Sequence, residues 1–189
     1  MIDNSQVTAC LVTRGDVDLA PILDTLPYGD VLIWDNSDPM RPDLKVAARY
    51  FATLGAFRDV IYFQDDDCIF RDHAALLAEY EPGVLVANWG HGENPDGYDD
   101  LAIFPGGALV DREIIWPTLR RYLDHHPMDD GFLYEADFIF GCLAPHRHVR
   151  LPFEIRDVAY NGRRLADEPW QKALKFETTQ KARAIRDAG

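Results

Sequence analysis

Three consecutive carboxylates, Asp65, Asp66 and Asp67, directly follow the apolar run Val60-Ile61-Tyr62-Phe63. Like charges at contact distance repel and raise one another's pKa, so such a cluster needs either full solvation or a neutralising cation. Oxygen-only donors with open positions suit Mg2+ or Mn2+ bridged to phosphate oxygens. Placement at the end of an apolar strand favours that use over a solvated surface patch. Side chains alternate along extended backbone, so the spacing predicts Asp65 and Asp67 on one side and Asp66 on the other.

The elements that must present these acids are readable upstream. Residues 7–13 are β-rich and apolar and end at Arg14-Gly15, a buried first strand. Asp16 is placed to cap a following helix that carries Val17, Ala20, Ile22 and Leu23 as far as Pro27. Val31-Leu32-Ile33-Trp34 is a second strand ending at Asp35-Asn36-Ser37. Helical spacing covers residues 44–57, with Arg49 off the main apolar face, and residues 60–63 form the third strand. Strand, helix, strand, helix, strand specifies a parallel sheet with right-handed crossovers, whose ligands bind beyond the carboxyl ends of the strands. Those ends are Thr13-Arg14, Asp35-Asn36 and Asp65-Asp66-Asp67, three polar clusters able to line one crevice.

The second half is less regular. A short helix is expected over 72–80, a strand over 84–87, and a Gly/Asn/Asp-rich loop over 91–100, placed to cover a crevice. Pro105-Gly106-Gly107 reads as a turn between two short strands within 101–110. Pro117 suits the start of a helix continuing to 126; residues 138–143 form a short buried helix, and a final helix covers about 169–187.

The 189 residues carry 32 acids and 19 bases, a net charge of −13. Residues 1–100 hold 19 acids and 6 bases, whereas residues 146–189 hold 10 bases and 6 acids. That balance excludes a globally basic nucleic-acid binder but leaves a local basic stripe. Cys10, Cys68 and Cys142 are too scattered for a zinc site or a disulfide framework and read as buried free thiols. No apolar run approaches the ~20 residues of a membrane span, and the N-terminus lacks the pattern of a signal peptide, so a cytoplasmic location with no membrane partner is expected.

Gln64-Asp65-Asp66-Asp67 after its strand resembles the DxD motif of GT-A fold glycosyltransferases. The likeness runs over roughly residues 7–145 and is similar to small bacteriophage-encoded members, some of which glycosylate hydroxymethylated DNA bases. It implies an α/β, Rossmann-type, mostly parallel sheet flanked by helices, with a C-terminal helical extension. It implies one domain over 1–189: a nucleotide-sugar-binding part to about residue 90, an acceptor-side part over 91–150 and a basic extension over 151–189. The resemblance assigns Thr13, Arg14, Asp35, Asn36, Arg49, Asp65 and Asp66 to the nucleotide-sugar, and Asp67 with Asp65 to Mn2+ or Mg2+. Glu135-Ala136-Asp137 resembles the acidic site beyond the acceptor region, with Asp137 the general base of an inverting transfer and Glu135 second; Asp137 also suits the cap of the helix over 138–143. Gly106-Gly107 matches an acceptor-side turn. Trp89 and Tyr98 can stack on sugar or base, or belong to the core.

The family often adds a late histidine to the metal; here only His146 or His148 could supply it, the other arrangement being carboxylate, water and diphosphate alone. The implied reaction is transfer from a nucleotide diphosphate-sugar, first a UDP-sugar, to a hydroxyl. The implied acceptor is a 5-hydroxymethylpyrimidine in phage DNA, in the host cytoplasm, with Arg163, Arg164 and Lys172 on the phosphates. Protein or glycan acceptors and a catalytically silent nucleotide-sugar-binding module are the alternatives. A haloacid-dehalogenase-like phosphatase is disfavoured because Cys68-Ile69 follows the acids, and a nucleotidyltransferase because Thr13-Arg14-Gly15-Asp16 is poor in glycine.

Overall fold

A computed structural model describes residues 2–89, 100–156 and 169–189. The chain runs β1 (Val7–Thr13), α1 (Ala20–Leu23), β2 (Asp30–Asp35), α2 (Ala48–Ala52), β3 (Val60–Gln64), β4 (Cys68–Phe70), α3 (His73–Ala78) and β5 (Leu85–Asn88). It continues with β6 (Ala108–Asp111), α4 (Arg112–Leu123), α5 (Asp130–Leu143), β7 (His146–Val149), β8 (Phe153–Ile155) and α6 (Pro169–Ala188). Six strands form one sheet in the order β2-β1-β3-β6-β5-β7, and β4 pairs with β8 in a separate antiparallel ribbon. β1 is parallel to β2 and β3, β5 is parallel to β7, and β6 alone runs against both its neighbours. The result is the mostly parallel α/β sheet with flanking helices and a C-terminal helix that the strand–helix alternation implies.

Strand periodicity divides the core between the two faces of the sheet. Cys10, Ile61, Phe63, Leu85, Ala108 and Val110 face Tyr50, Ile115, Leu119, Tyr122, Phe132 and Phe140 from α2, α4 and α5. Ala9, Val60, Tyr62, Val86 and Leu109 face Tyr28, Phe70, Leu76 and Leu77 on the other side. All seven residues of β1 are buried, as expected for a central strand covered on both faces. Cys10, Cys68 and Cys142 are buried free thiols. No helix among the described residues is long and apolar enough to cross a membrane.

Several elements differ from the expected ones. Asp16 caps nothing: it pairs with Arg14 at 3.2 Å, and α1 begins only at Ala20, whose N–H donates to Asp18. The segment over 44–57 is broken into a 3-10 turn, α2 and a second 3-10 turn. The Thr53 hydroxyl donates to the Tyr50 carbonyl at 2.6 Å, a local bond that competes with helix propagation. α4 starts at Arg112 with Pro117 inside it, because Ile115, Leu119 and Tyr122 bury one face and outweigh the missing hydrogen bond. Residues 101–104 are irregular rather than strand, and β4, β7 and β8 were not legible as strands. The loop expected over 91–100 lies, apart from Asp100, outside the described residues, as does Tyr98.

The largest departure is α5. Its 14 residues are two helical stretches that meet in a kink at Glu135 (φ −117°, ψ 22°), the first capped by Asp129, which accepts from the Phe132 N–H at 3.2 Å. Asp137 therefore lies within a helix and cannot cap one. Behind it, Gly141 lets the segment over 101–104 approach: the Ala102 N–H donates to the Gly141 carbonyl at 3.0 Å, and a Cβ on Gly141 would run into the Ala102 carbonyl. Backbone cannot move aside as a flexible side chain can. Gly141→Ala should cost about 2–3 kcal/mol in a urea titration, by overpacking against an ordered segment.

Candidate functional site

At the carboxyl ends of β1, β2 and β3 the sheet opens into a pocket of about 580 Å³. β2 and β3 flank β1 on opposite sides, so this is where the strand order reverses and where parallel sheets place ligands. Thr13, Arg14, Asn36, Arg49, Asp65, Asp66, Asp67 and Asp137 all line it. Asp35 does not: its carboxylate turns back to the Ser37 N–H at 2.8 Å and hydroxyl at 2.7 Å, bonds that hold it below the usual carboxylate range. Glu135 is also absent from the lining and is buried behind it.

The three acids occupy a reverse turn rather than a continuing strand. The Cys68 N–H donates to the Asp65 carbonyl at 3.3 Å, and the Gln64 amide donates to the Cys68 carbonyl at 2.6 Å. Strand alternation therefore stops at Gln64, and all three carboxylates reach the pocket instead of dividing two and one. The ribbon of β4 and β8 braces the turn, since the Arg156 N–H donates to the Asp67 carbonyl at 2.7 Å.

Arg49 ties this turn to α5. Its guanidinium is only 3% exposed and lies 2.6 Å from Asp65 and 3.3 Å from Asp137. The expectation that Arg49 lies off the apolar face missed its burial: α2 abuts the strand ends, so its polar side faces the pocket and two carboxylates offset the cost of burying the charge. Tyr50, next in sequence, donates to Asp137 Oδ1 at 2.7 Å. Burial pushes the Asp137 carboxyl up to about 6 against the pull of Arg49 and the Tyr50 hydroxyl. Asp65 is likewise raised by burial, with Arg49 opposing. Burial and the two neighbouring carboxylates push Asp66 up to about 6.

The rest of the wall was missed in the sequence: Asp43, Lys45, Tyr134 and Gln171. Asn36 explains part of it. Its side chain accepts from the Leu44 N–H and donates to the Lys45 carbonyl, both at 3.0 Å, folding that turn over the β2 end. Lys45 is held at φ +53°, a conformation rare for a residue with a Cβ, and its ammonium sits 5.6 Å from the Tyr134 ring centre. Among the described residues the lining holds five carboxylates against Arg14, Lys45 and Arg49.

The remaining expected contacts are elsewhere. His146 and His148 lie on β7, the sheet edge remote from β1 and β2, and neither lines the pocket. Trp89 is half-buried after β5, its N–H donating to the Val149 carbonyl at 3.2 Å. Gly106 and Gly107 serve packing: Gly107 is at φ +101°, and a Cβ there would meet the Tyr62 hydroxyl at 2.6 Å. Lys172 is exposed on α6 outside the lining, and Arg163 and Arg164 lie outside the described residues.

Removing Arg49 leaves two carboxylates without their cation. Arg49→Met should destabilise the protein by about 3–5 kcal/mol at pH 8, the range for breaking a buried ion pair from one side. Arg49 now lowers the pKa of Asp65 and Asp137, so without it both rise further and lose their charge more readily as pH falls. The loss in urea titrations should therefore shrink at pH 5. Equal losses at both pH values would assign the effect to packing instead of charge.

No family model matches this sequence, and no curated protein matches it. Among solved structures the chain is similar to A197 from STIV, at 16% sequence identity over 77% of this chain and 82% of that one, with a TM-score of 0.43. A likeness of that degree bears on neither family nor activity.

Proposed function

We propose that the chain is a metal-dependent, inverting glycosyltransferase that moves a sugar from a nucleotide diphosphate-sugar to a hydroxyl acceptor. The observation that carries this reading is the joining of the Asp65-Asp66-Asp67 turn to Asp137 through buried Arg49, at the ligand-binding edge of the sheet. The pocket volume suits a ligand of nucleotide-sugar size. A catalytically silent binding module would need the turn but not Asp137.

The donor set fits a hard divalent cation. It is all oxygen, it carries two more negative charges than positive ones, and its neighbouring acids are pushed towards protonation by one another. Among the described residues no group of three or more His, Cys, Asp or Glu side chains is arranged to hold a metal ion, so two carboxylates at most would hold it and diphosphate or water oxygens would supply the rest of its shell. Asp67 and the Asp65 oxygen not bound to Arg49 would hold it. A bound Mn2+ or Mg2+ would supply charge neutralisation at the departing diphosphate.

Arg14, paired with Asp16, and Lys45, paired with Asp43, are the other pocket cations and would orient phosphate oxygens by exchanging those carboxylates for them. Tyr50 fixes Asp137 by its Oδ1, while Arg49 NH1 lies 3.3 Å from Oδ2 outside hydrogen-bond geometry. Oδ2 thus keeps a lone pair for the acceptor's hydroxyl proton, and the nearby guanidinium keeps that carboxyl ionised in the resting state.

As acceptor we propose first the hydroxymethyl group of a pyrimidine in DNA, which would have to leave the duplex to reach the pocket. The phage-like sequence resemblance supports this, and we propose exposed Lys172, next to Gln171 in the sequence of α6, as a contact to phosphate. The test is a screen of UDP- and GDP-sugars against hydroxymethylated DNA and against unmodified DNA, peptides and glycans, with product mass as readout. A product on peptide or glycan alone would discard the DNA acceptor while keeping the transferase.

Two outcomes are expected once a donor is found. Asp67→Asn and excess chelator should each abolish transfer and weaken donor binding; full activity in chelator would reject the metal. Asp137→Asn should lower turnover by roughly 10² or more with donor affinity within a few-fold. Because burial places the Asp137 carboxyl near 6, wild-type turnover should fall as pH drops below about 6, where the base becomes protonated.

A further inference from the structure

Among the described residues, one buried hydrogen-bond acceptor in the pocket wall lacks a partner and is not used by the reading above. Gln171 lies in the first turn of α6, is 8% exposed and lines the pocket together with Tyr134 and Asp137. Its carbonyl oxygen Oε1 is buried without a partner among the described residues. A buried carbonyl left unpaired costs about 1–3 kcal/mol, a penalty that a native structure keeps where a ligand is to fill it.

Turning that oxygen the other way would set it against the buried Glu135 carboxylate, which Gln171 influences from α6. Glu135 is 1% exposed at the kink of α5, and the Gln171 side chain and Lys175 are the groups that favour its charged form. A carboxylate only accepts, so Glu135 favours the amide NH2 on its side, which leaves the unpartnered Oε1 for the pocket that Gln171 lines. Lys175, one turn along α6, and Asp137, two residues along α5, are the other charged groups acting on Glu135.

The surroundings indicate what Oε1 accepts from. Tyr134 lines the same wall, with Lys45 at its ring and the half-exposed Trp170 ring edge-on, centroids 5.3 Å apart. An apolar aromatic wall beside a hydrogen-bond acceptor, adjacent to a candidate base, suits a polyhydroxylated ring: C–H groups against the aromatic surface and a hydroxyl donating to the amide. We infer that Gln171 is a specificity-determining residue that accepts a hydrogen bond from a hydroxyl of the transferred glycosyl group, with Glu135 as its positioning residue. This rests on the nucleotide-sugar reading of the pocket. It gives Glu135 a different part from the secondary base expected from the sequence.

The experiment is calorimetric binding, in Mn2+, of UDP-glucose, UDP-N-acetylglucosamine and GDP-mannose, each against its parent diphosphate UDP or GDP. Gln171→Met keeps the side chain's length and removes the amide. It should weaken the tightest sugar nucleotide about tenfold or more while leaving the sugar-free diphosphate within twofold, since a lost hydrogen bond to an otherwise paired hydroxyl has that size. Glu135→Gln leaves Gln171 in place but lets its amide take either orientation; it should cause a smaller loss, again confined to the sugar nucleotide. This variant decides the matter if Gln171→Met fails to melt cooperatively. Equal weakening of nucleotide and sugar nucleotide, or no weakening of either, would overturn the assignment to the glycosyl group. A wild-type protein that binds none of the five ligands would overturn the donor reading itself, and the role of Gln171 with it.

Discussion

One guanidinium holds the working end of this protein together. Arg49 comes from α2, Asp65 from the end of β3 and Asp137 from the middle of α5, so the ion pairs at 2.6 and 3.3 Å join three elements far apart in sequence. A buried charge is a cost, and a buried ion pair repays it only with good geometry and further hydrogen bonds. Here the Tyr50 hydroxyl adds one such bond to Asp137, and Tyr50 itself packs against Phe63 and Phe140. The charged contact and the aromatic core are thus parts of one joint. The core fixes where α2 and α5 meet the sheet, and the ion pairs fix which side chains the meeting exposes.

The same joint is left deliberately short of positive charge. Burial and the neighbouring acids push the Asp66 carboxyl up to about 6, and burial does the same to Asp137, so the pocket's own carboxylates are electrostatically strained at neutral pH. A folded-state pKa above the unfolded value favours the fold only while the group is protonated, and that stability is lost as pH rises through about 6. A core built for stability alone would not keep such groups. Sites that act on charged ligands do keep them, because the ligand or its counter-ion removes the strain on binding.

Which parts of this were legible follows from the range of the signals. β1, β2 and β3 announce themselves as apolar runs broken by polar residues, and their parallel order follows from the helices between them, so the convergence of Thr13, Arg14, Asn36 and the Asp65 turn could be read directly. Signals that depend on a partner distant in sequence could not be. Arg49 reads only as a residue off the apolar face of its helix, assigned to the donor by resemblance, and its burial between Asp65 and Asp137 appears only in the fold. Gln171 carries no motif, and its meaning appears only when α6 lies against α5. Asp137 was ambiguous because the true cap, Asp129, stands eight residues upstream of it, and a helix was read as starting where its apolar run is densest. The split of Asp66 from its neighbours failed for a local reason, since a turn closed by the Cys68 N–H abolishes the alternation of a strand.

The charge asymmetry of the chain finds its explanation inside the fold. The bases of the C-terminal part reach back to the acidic first hundred residues. Arg147 pairs with Glu79 and Glu81 at 3.0 and 3.4 Å, and Arg183 and Arg186 both hold Asp100, whose carboxyl they bring down to about 2. Arg156 spends its side chain on the Asp18 carbonyl at 2.7 Å and its backbone N–H on the Asp67 carbonyl. Lys175 rests 4.5 Å from the centre of the Phe138 ring. Each exposed pair contributes little alone, about 0–1 kcal/mol, but together they fasten β7, β8 and α6 onto the part that carries the acidic turn. The basic excess after residue 146 is therefore a complement to the chain's own acids before it is a surface for any partner. Nucleic acid is not required to account for it, and an acceptor must be argued from the pocket and not from the net charge of the tail.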